Sequence, residues 1–377
     1  MAARCPECGD VFASDGYCLR CGTPAPSERD HVELCPSPGV AGVSDRGRER
    51  ERNEDALDVL VPGLAPAPAW GTPPPSAAFP AASEAPPGLA AVVVCDGVAA
   101  APRSEVASLA AVQAATARIG HGLGAGGGDL AGAGGPAHAV EPSQALDPAD
   151  TAELPRLAAV DRGEVLCALT AAGARAASRA VTRVTADLGD PAQPPSATYL
   201  AVIVEQPAGC PDDGQLGGGQ LDGGERVAAP LVAVGWLGDC RCYWLPDEGE
   251  ARLITRDHSW AAELMASGMS PEEAARAPQA HAITRWIGID APDDVASTAR
   301  FDPPGPGWVL ACSDGLWNYA AEPQAIARVL LEVSSIAQPA SAGPAAAQEI
   351  ASGMVAWANA QGGRDNITAA LIRISAR

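Results

Sequence analysis

Ala90-Ala91-Val92-Val93-Val94-Cys95-Asp96-Gly97 is an apolar run that ends in a carboxylate and a glycine. Continuous apolarity with a β-branched centre predicts a strand over 90 to 95 that is covered on both faces. By itself an Asp-Gly after a strand is commonly a turn. The pattern recurs, however. Trp308 to Ala311 leads into Cys312-Ser313-Asp314-Gly315, and Gly362-Gly363-Arg364-Asp365-Asn366 leads into the apolar run Ile367 to Ile374. A fourth acidic stretch, Arg50-Glu51-Arg52-Asn53-Glu54-Asp55, precedes a candidate strand at 56 to 61. Two carboxylates about 4 Å apart at an effective dielectric of 20 repel by roughly 4 kcal/mol. A converging cluster therefore calls for a cation, and oxygen-only ligands point to a hard ion, Mg²⁺ or Mn²⁺, rather than zinc.

The bulk composition narrows the function classes. The chain has 377 residues, 47% of them hydrophobic but only 4% aromatic, so its core is built from Ala, Val and Leu. A formal charge of −21 argues against a nucleic-acid partner, because phosphate backbones are bound by Lys and Arg. A metal can still invert the local field of an anionic protein and let it act on a phosphate. No run of roughly 18 apolar residues is present, so no membrane span is expected. The N-terminus lacks the basic start and apolar stretch of a signal peptide, which predicts a cytoplasmic protein. The abundance of Ala, Gly, Pro and Arg resembles the coding bias of a GC-rich bacterium.

Eleven cysteines in a reducing compartment read as metal ligands and small core residues. Cys5-x-x-Cys8 and Cys18-x-x-Cys21, each followed by glycine, have the form of a compact zinc ribbon with Val11, Phe12, Tyr17 and Leu19 as its meagre core. Residues 1–25 thus form a zinc-ribbon-like module that the metal staples together, 26–39 a Pro-containing linker, and 40–377 the main domain. Low-complexity insertions interrupt that domain near 62–88, 120–158 and 206–226. Further strands are expected at 40 to 44, 198 to 205, 231 to 237, 241 to 245, 251 to 255, 308 to 313 and 366 to 374. Helices are expected at 104 to 119, 161 to 187, 259 to 267, 271 to 277, 322 to 333 and 345 to 360. Strands outnumber long helices without regular alternation, which favours an α+β layered fold.

In chain order the motifs are Arg50 to Asp55, Cys95-Asp96-Gly97, Gly238-Asp239-Cys240-Arg241, Arg256-Asp257-His258-Ser259, Ile283-Thr284-Arg285, Ser313-Asp314-Gly315 and Gly363-Arg364-Asp365-Asn366. This ordered set resembles the metal-dependent protein phosphatase family (PPM, the type 2C Ser/Thr phosphatases) over residues 40 to 377. The resemblance implies a four-layer α-β-β-α sandwich with two Mn²⁺ or Mg²⁺ ions at one end and room for a third. It assigns Asp96 to bridge the ions, the Gly97 carbonyl and Glu54 to the second ion, and Asp314 and Asp365 to the first. Arg50 would bind the phosphate, while Asp55 and Asp239 would support the ligands from behind. Asp187 and Asp190 fall where some bacterial members bind a third ion, and residues 259 to 277 occupy the family's flap beside the substrate groove. The implied activity is hydrolysis of phosphoserine and phosphothreonine by a two-metal-activated hydroxide, on proteins phosphorylated by bacterial Ser/Thr kinases. One departure stands out: Val98-Ala99-Ala100-Ala101 replaces the family's glycines and the histidine that can follow its Asp-Gly. That change leaves an alternative, a weak or inactive phosphatase-like adaptor whose ribbon recruits a partner.

Overall fold

The computed structural model describes residues 4–5, 8–13, 17–23, 25–64, 88–98, 101, 103–124, 161–189, 193–206, 229–336 and 346–375. The expected insertions fall almost wholly outside these residues. One antiparallel sheet has the order β1 (His31–Ser37), β2 (Val40–Asp45), β11 (Ile367–Ile374), β10 (Gly307–Cys312), β7 (Arg241–Pro246), β8 (Arg252–Leu253). The other has the order β3 (Ala56–Leu60), β4 (Leu89–Cys95), β5 (Tyr199–Glu205), β6 (Leu231–Leu237), β9 (Ser297–Phe301). Alternate residues of both sheets, among them Leu57, Val92, Val202, Trp244 and Val309, meet in a central apolar layer.

The outer faces are covered by helices, as continuous burial along β4, β5 and β6 requires. On the β5 side lie α1 (Ser104–Gly122) and α2 (Arg162–Leu188), whose Ala107, Ala111, Ala115, Ala174 and Ala177 are fully buried. Small side chains let both helices pack closely against the sheet. Asp161 caps α2 by accepting from the amides of Gly163 and Glu164, and Gly189, at φ +72°, ends it. The opposite face carries α6 (Pro323–Ile336) and α7 (Ala346–Gln361) over Val43, Leu310 and Leu371. Among the described residues there are also three short α-helices, α3 (Trp260–Ala266), α4 (Pro271–Ala275) and α5 (Asp314–Trp317). The layers are therefore α-β-β-α.

Three elements differ from expectation. Residues 31–37, assigned above to a linker, form edge strand β1, with Val32 and Leu34 turned inward and His31 paired to Asp45. Pro36 hid it; an edge strand tolerates proline because one side of its backbone is unpaired. Strand β9 lacks an apolar run because it is an edge strand in which half-buried and exposed sites alternate and none is fully buried. The strand expected at 251 to 255 shrinks to Arg252–Leu253.

Leu57 is fully buried, and its Cδ1 occupies the space a Cβ at Gly42 would need. Leu57→Ala should lower the unfolding free energy by about 2–5 kcal/mol in urea titration, the usual cost of an aliphatic truncation in a closed core.

Candidate active site

Antiparallel register brings the acidic motifs to one end of the sandwich. Ala56 pairs with Cys95, so Asp55, preceding β3, and Asp96, following β4, flank the same rung. In the other sheet Cys312 faces both Arg241 and Ala369, and Ile367 faces Asp45. Asp314, Asp239 and Asp365 each lie two residues beyond those rungs, at the same edge. Tight backbone approaches close the end. A Cβ at Gly315 would collide with the Asn366 carbonyl, and one at Gly47, at φ +78°, with the Asp365 carbonyl. The Gly97 Cα lies so near Glu54 that a Cβ would stand 2.8 Å from the Glu54 carbonyl oxygen.

The pocket so formed has a volume of about 600 Å³ and is lined by Arg50, Asp96, Gly97, Asp239, Asp314 and Asp365, among others. Arg50 Nη2 donates to Asp365 Oδ2 at 2.7 Å, and its Nη1 lies 3.9 Å from Glu54 Oε2. Hydrogen bonds hold several of the acids in place. Asp96 exchanges bonds with Thr198, its amide donating to the Thr198 hydroxyl at 2.9 Å and its carbonyl accepting from the Thr198 amide at 2.7 Å. Glu54 N donates to Asn366 Oδ1 at 2.8 Å, and Asn318 Nδ2 donates to Asp314 at 3.1 Å. Beneath the floor, wholly buried Asp55 accepts from the hydroxyls of Ser313 and Thr368, both at 2.7 Å.

Electrostatically the group is overloaded with negative charge. Burial, reinforced by Asp55, Asp314, Asp239 and Asp365, raises the Asp96 pKa well above the carboxylate range. Burial and then Asp314 push Asp239 up to about 8, and burial and Asp365 push Asp314 to about 6. Burial raises Asp55 to about 7, partly offset by its two hydroxyl donors. Its Oδ1 is buried without a hydrogen-bond partner among the described residues. An excess of carboxylate oxygens over donors, one of them orphaned, fits bound cations. The acids are spread rather than gathered on one point. Among the described residues, the one group of three or more potential ligands whose atoms all lie within 4.8 Å is the four cysteines.

Structure and sequence reading also diverge here. Asp239, cast above as a support, reaches the pocket surface, while its carbonyl accepts from Trp317 Nε1 at 2.9 Å. The flap segment 259 to 277 contributes no lining residue; the wall comes from His281, Ala282, Ile283, Trp286 and Asp290. Gln193 and Pro194 also line the pocket. These loop positions carry no periodicity, and only the quoted Ile283-Thr284-Arg285 gave a signal. Asp187 is exposed and lies outside the lining, and Asp190 lies outside the described residues. His258 is structural: it accepts from the Gly238 amide at 3.1 Å, stacks on Trp236, and burial followed by Arg285 lowers its pKa to about 4.

At the N-terminus, the sulfurs of Cys5 and Cys21 lie 3.5 Å apart and those of Cys8 and Cys18 3.4 Å. Four thiolates about 2.3 Å from one tetrahedral ion would lie roughly 3.8 Å apart, close to this spacing. Hydrogen bonds from the Thr23 hydroxyl and amide lower the Cys21 pKa to about 6, favouring a thiolate. Val11 and Leu19 are exposed rather than core, so the module has almost no apolar interior and needs such a staple.

No protein-family model matches the chain. A putative type 2C protein phosphatase of Streptococcus pyogenes is 34% identical over 137 residues, 36% of this chain and 50% of that protein. The Ser/Thr phosphatase stp of Listeria welshimeri is 29% identical over 147 residues, 39% of this chain and 53% of that protein. The chain spans about half the length of these curated relatives. Solved structures of the Ser/Thr phosphatase Stp1 from Staphylococcus aureus (TM-score 0.53, 18% identity, 92% of this chain and 98% of that one) and of the Streptococcus agalactiae Ser/Thr phosphatase (0.51, 19%, 91% and 100%) share the fold. The sandwich is that of the PPM phosphatase domain. Over about half of their length, the chain is also similar in sequence to these type 2C and Ser/Thr phosphatases.

Because the acids repel when metal is withheld, Asp314→Asn should raise the melting temperature of chelator-treated protein by about 2–4 °C, the equivalent of roughly 1 kcal/mol. Calorimetry in EDTA checks this. An unchanged or lower value would show that the cluster is not electrostatically strained.

Proposed function

We propose that the chain is a Mn²⁺- or Mg²⁺-dependent serine/threonine protein phosphatase. The observation that supports this reading is the convergence of Asp96, Asp314, Asp365 and Arg50 on one pocket at the sheet ends, with Glu54 beside Arg50. Asp96, Asp314, Asp365, Glu54 and the Gly97 carbonyl would hold two divalent ions, with Asp239 beside them and Asp55 bracing the floor. Bound there, such ions supply Lewis-acid charge and lower the pKa of water to about 7.

The protein's own groups do the rest. Arg50 presents a planar fork suited to a phosphate dianion. It pairs with Asp365 and Glu54 and sits at the pocket mouth, partly exposed. Val98 can neither donate nor accept a proton, so the side chain at that position cannot protonate the leaving serine or threonine oxygen. Pocket walls of Ile283, Trp286 and Pro194 exclude bulk solvent from one side of the ester. The substrates are phosphoproteins made by Ser/Thr kinases in the same compartment, which we place in the cytoplasm. No helix among the described residues is long and apolar enough to cross a membrane.

No observation favours the adaptor. Val98 N donates to the Ser196 carbonyl at 3.0 Å and Ala101 N to the Val98 carbonyl at 2.8 Å. Arg103, at φ 60°, supplies the left-handed turn before α1. The described ends of the altered loop, Val98 and Ala101, are thus held to Ser196 and to each other, and Ala99 and Ala100 lie outside the described residues.

Hydrolysis of a phosphothreonine peptide should require Mn²⁺ or Mg²⁺ and vanish in EDTA. Asp96→Asn should lower kcat/KM at least about 100-fold, since metal charge is worth several kcal/mol. Arg50→Ala should lower it about 10–100-fold, the worth of charge-assisted bonds to phosphate. Hydrolysis that persists in EDTA would overturn the reading.

A further inference from the structure

The cysteine module touches the phosphatase domain beside its pocket. Tyr17 immediately precedes Cys18, and its carbonyl accepts from Ala13 N at 2.8 Å while Phe12 bridges to Cys18. Tyr17 is thus held by the same backbone that carries two of the four thiols. Its hydroxyl accepts from Arg52 Nη2 at 3.3 Å, and the Arg52 guanidinium carbon stands 5.9 Å from the Tyr17 ring centre. The other guanidinium nitrogen reaches Glu105, in the first turn of α1, at 3.6 Å.

Arg52 lies between Arg50 and Glu54 on an arm with no regular secondary structure. Every fixed point of that arm is a discrete contact. On the sheet side, Asn366 Nδ2 donates to the Arg52 carbonyl and Asn366 Oδ1 accepts from Glu54 N, both at 2.8 Å. On the outer side, Asn53 Nδ2 donates to the Arg29 carbonyl at 2.9 Å, and Arg29 Nη1 donates to the Glu105 carbonyl at 2.8 Å. Tyr17 closes this outer side from the cysteine module.

We propose that the four-cysteine module is a zinc-dependent positioning element for the Arg50–Asp55 arm: metal binding by Cys5, Cys8, Cys18 and Cys21 seats Tyr17 on Arg52 and so holds Arg50 in the pocket with Glu54 beside it. Two features connect the thiols to this contact. Among its described residues the module buries little beyond Cys5 and Cys18, with Val11 and Leu19 exposed, so its shape depends on the metal. The arm gains order only from side-chain and backbone contacts, so losing one loosens it. Tyr17 and Arg52 are positioning residues; neither touches the pocket lining. The consequence for catalysis rests on the phosphatase reading above, whereas the coupling between thiols and arm does not.

The experiment compares full-length wild type, Cys18→Ser/Cys21→Ser, Tyr17→Ala and Leu19→Ser, the last altering an exposed site on the same module. Zinc content is measured first, with one ion per chain expected in all but the double serine variant. Backbone hydrogen exchange of residues 48–55 is then followed without Mn²⁺ or substrate, and Mn²⁺ affinity is taken by calorimetry. The double serine variant and Tyr17→Ala should both exchange faster across 48–55 and bind Mn²⁺ about 2–10-fold more weakly, the scale of one cation–π contact with its hydrogen bond. Leu19→Ser should match wild type. Wild-type exchange in zinc-free protein, or an equal change in Leu19→Ser, would overturn the proposal. A chain that fails to hydrolyse phosphopeptides yet shows these exchange differences would instead contradict the phosphatase reading alone.

Discussion

Mutual repulsion among the carboxylates at the sheet ends is the constraint the rest of the molecule answers to. Asp96, Asp239, Asp314 and Asp55 are each driven up in pKa by burial and by one another. Nothing in their own chemistry would bring them together. The register of two antiparallel sheets does so, since Ala56–Cys95 and Cys312–Ala369 are rungs whose flanking residues must share an edge. The apolar layer between the sheets and the Ala-faced helices outside them provide the burial energy against which this repulsion is held. One arginine, Arg50, stands among the acids and bonds to Asp365 at 2.7 Å.

Arg50 therefore has two kinds of partner. Its guanidinium offsets charge within the cluster, and in the proposed reaction the same fork receives the phosphate. Both demand that the arm from Arg50 to Asp55 be held from outside, because it has no ladder of its own. Asn366, Arg29 and Tyr17 each supply a contact to that end.

Much of this was legible in the sequence because apolar runs ending in acids carry their own register information. The strands expected at 90–95, 231–237 and 366–374 and the helices expected from 104 and 161 stand within a residue or so of where the apolar runs put them. Edge strands were not legible. β1 contains Pro36, and β9 has only Ala299 and Phe301 as apolar members, since an edge needs fewer buried faces. The pocket wall at His281 to Asp290 was hidden for a different reason. It is irregular chain, fixed by long-range bridges such as Ala197–Ile287 and Ser259–Ile283, and no local pattern encodes a contact so distant in sequence. The clustering of the four cysteines was plain from their spacing, while the module's seat on Arg52 was not, for the same reason.

Below the acids runs a chain of buried hydroxyls. Asn53 Nδ2 donates to Ser44, Thr368 bonds to both Ser44 and Asp55, and Ser313 donates to Asp55. Ser44, Thr368 and Ser313 lie in or just after strands of one sheet, and Asp55 sits at the head of the other. Apolar layers tolerate sliding because dispersion has no direction, but hydrogen bonds at 2.7–2.9 Å do not. This end of the sandwich is thus a latch that fixes how the two sheets align. A core change that shifts one sheet over the other would move Asp96 relative to Asp314, so alignment of the layers and spacing of the acids are a single mechanical variable.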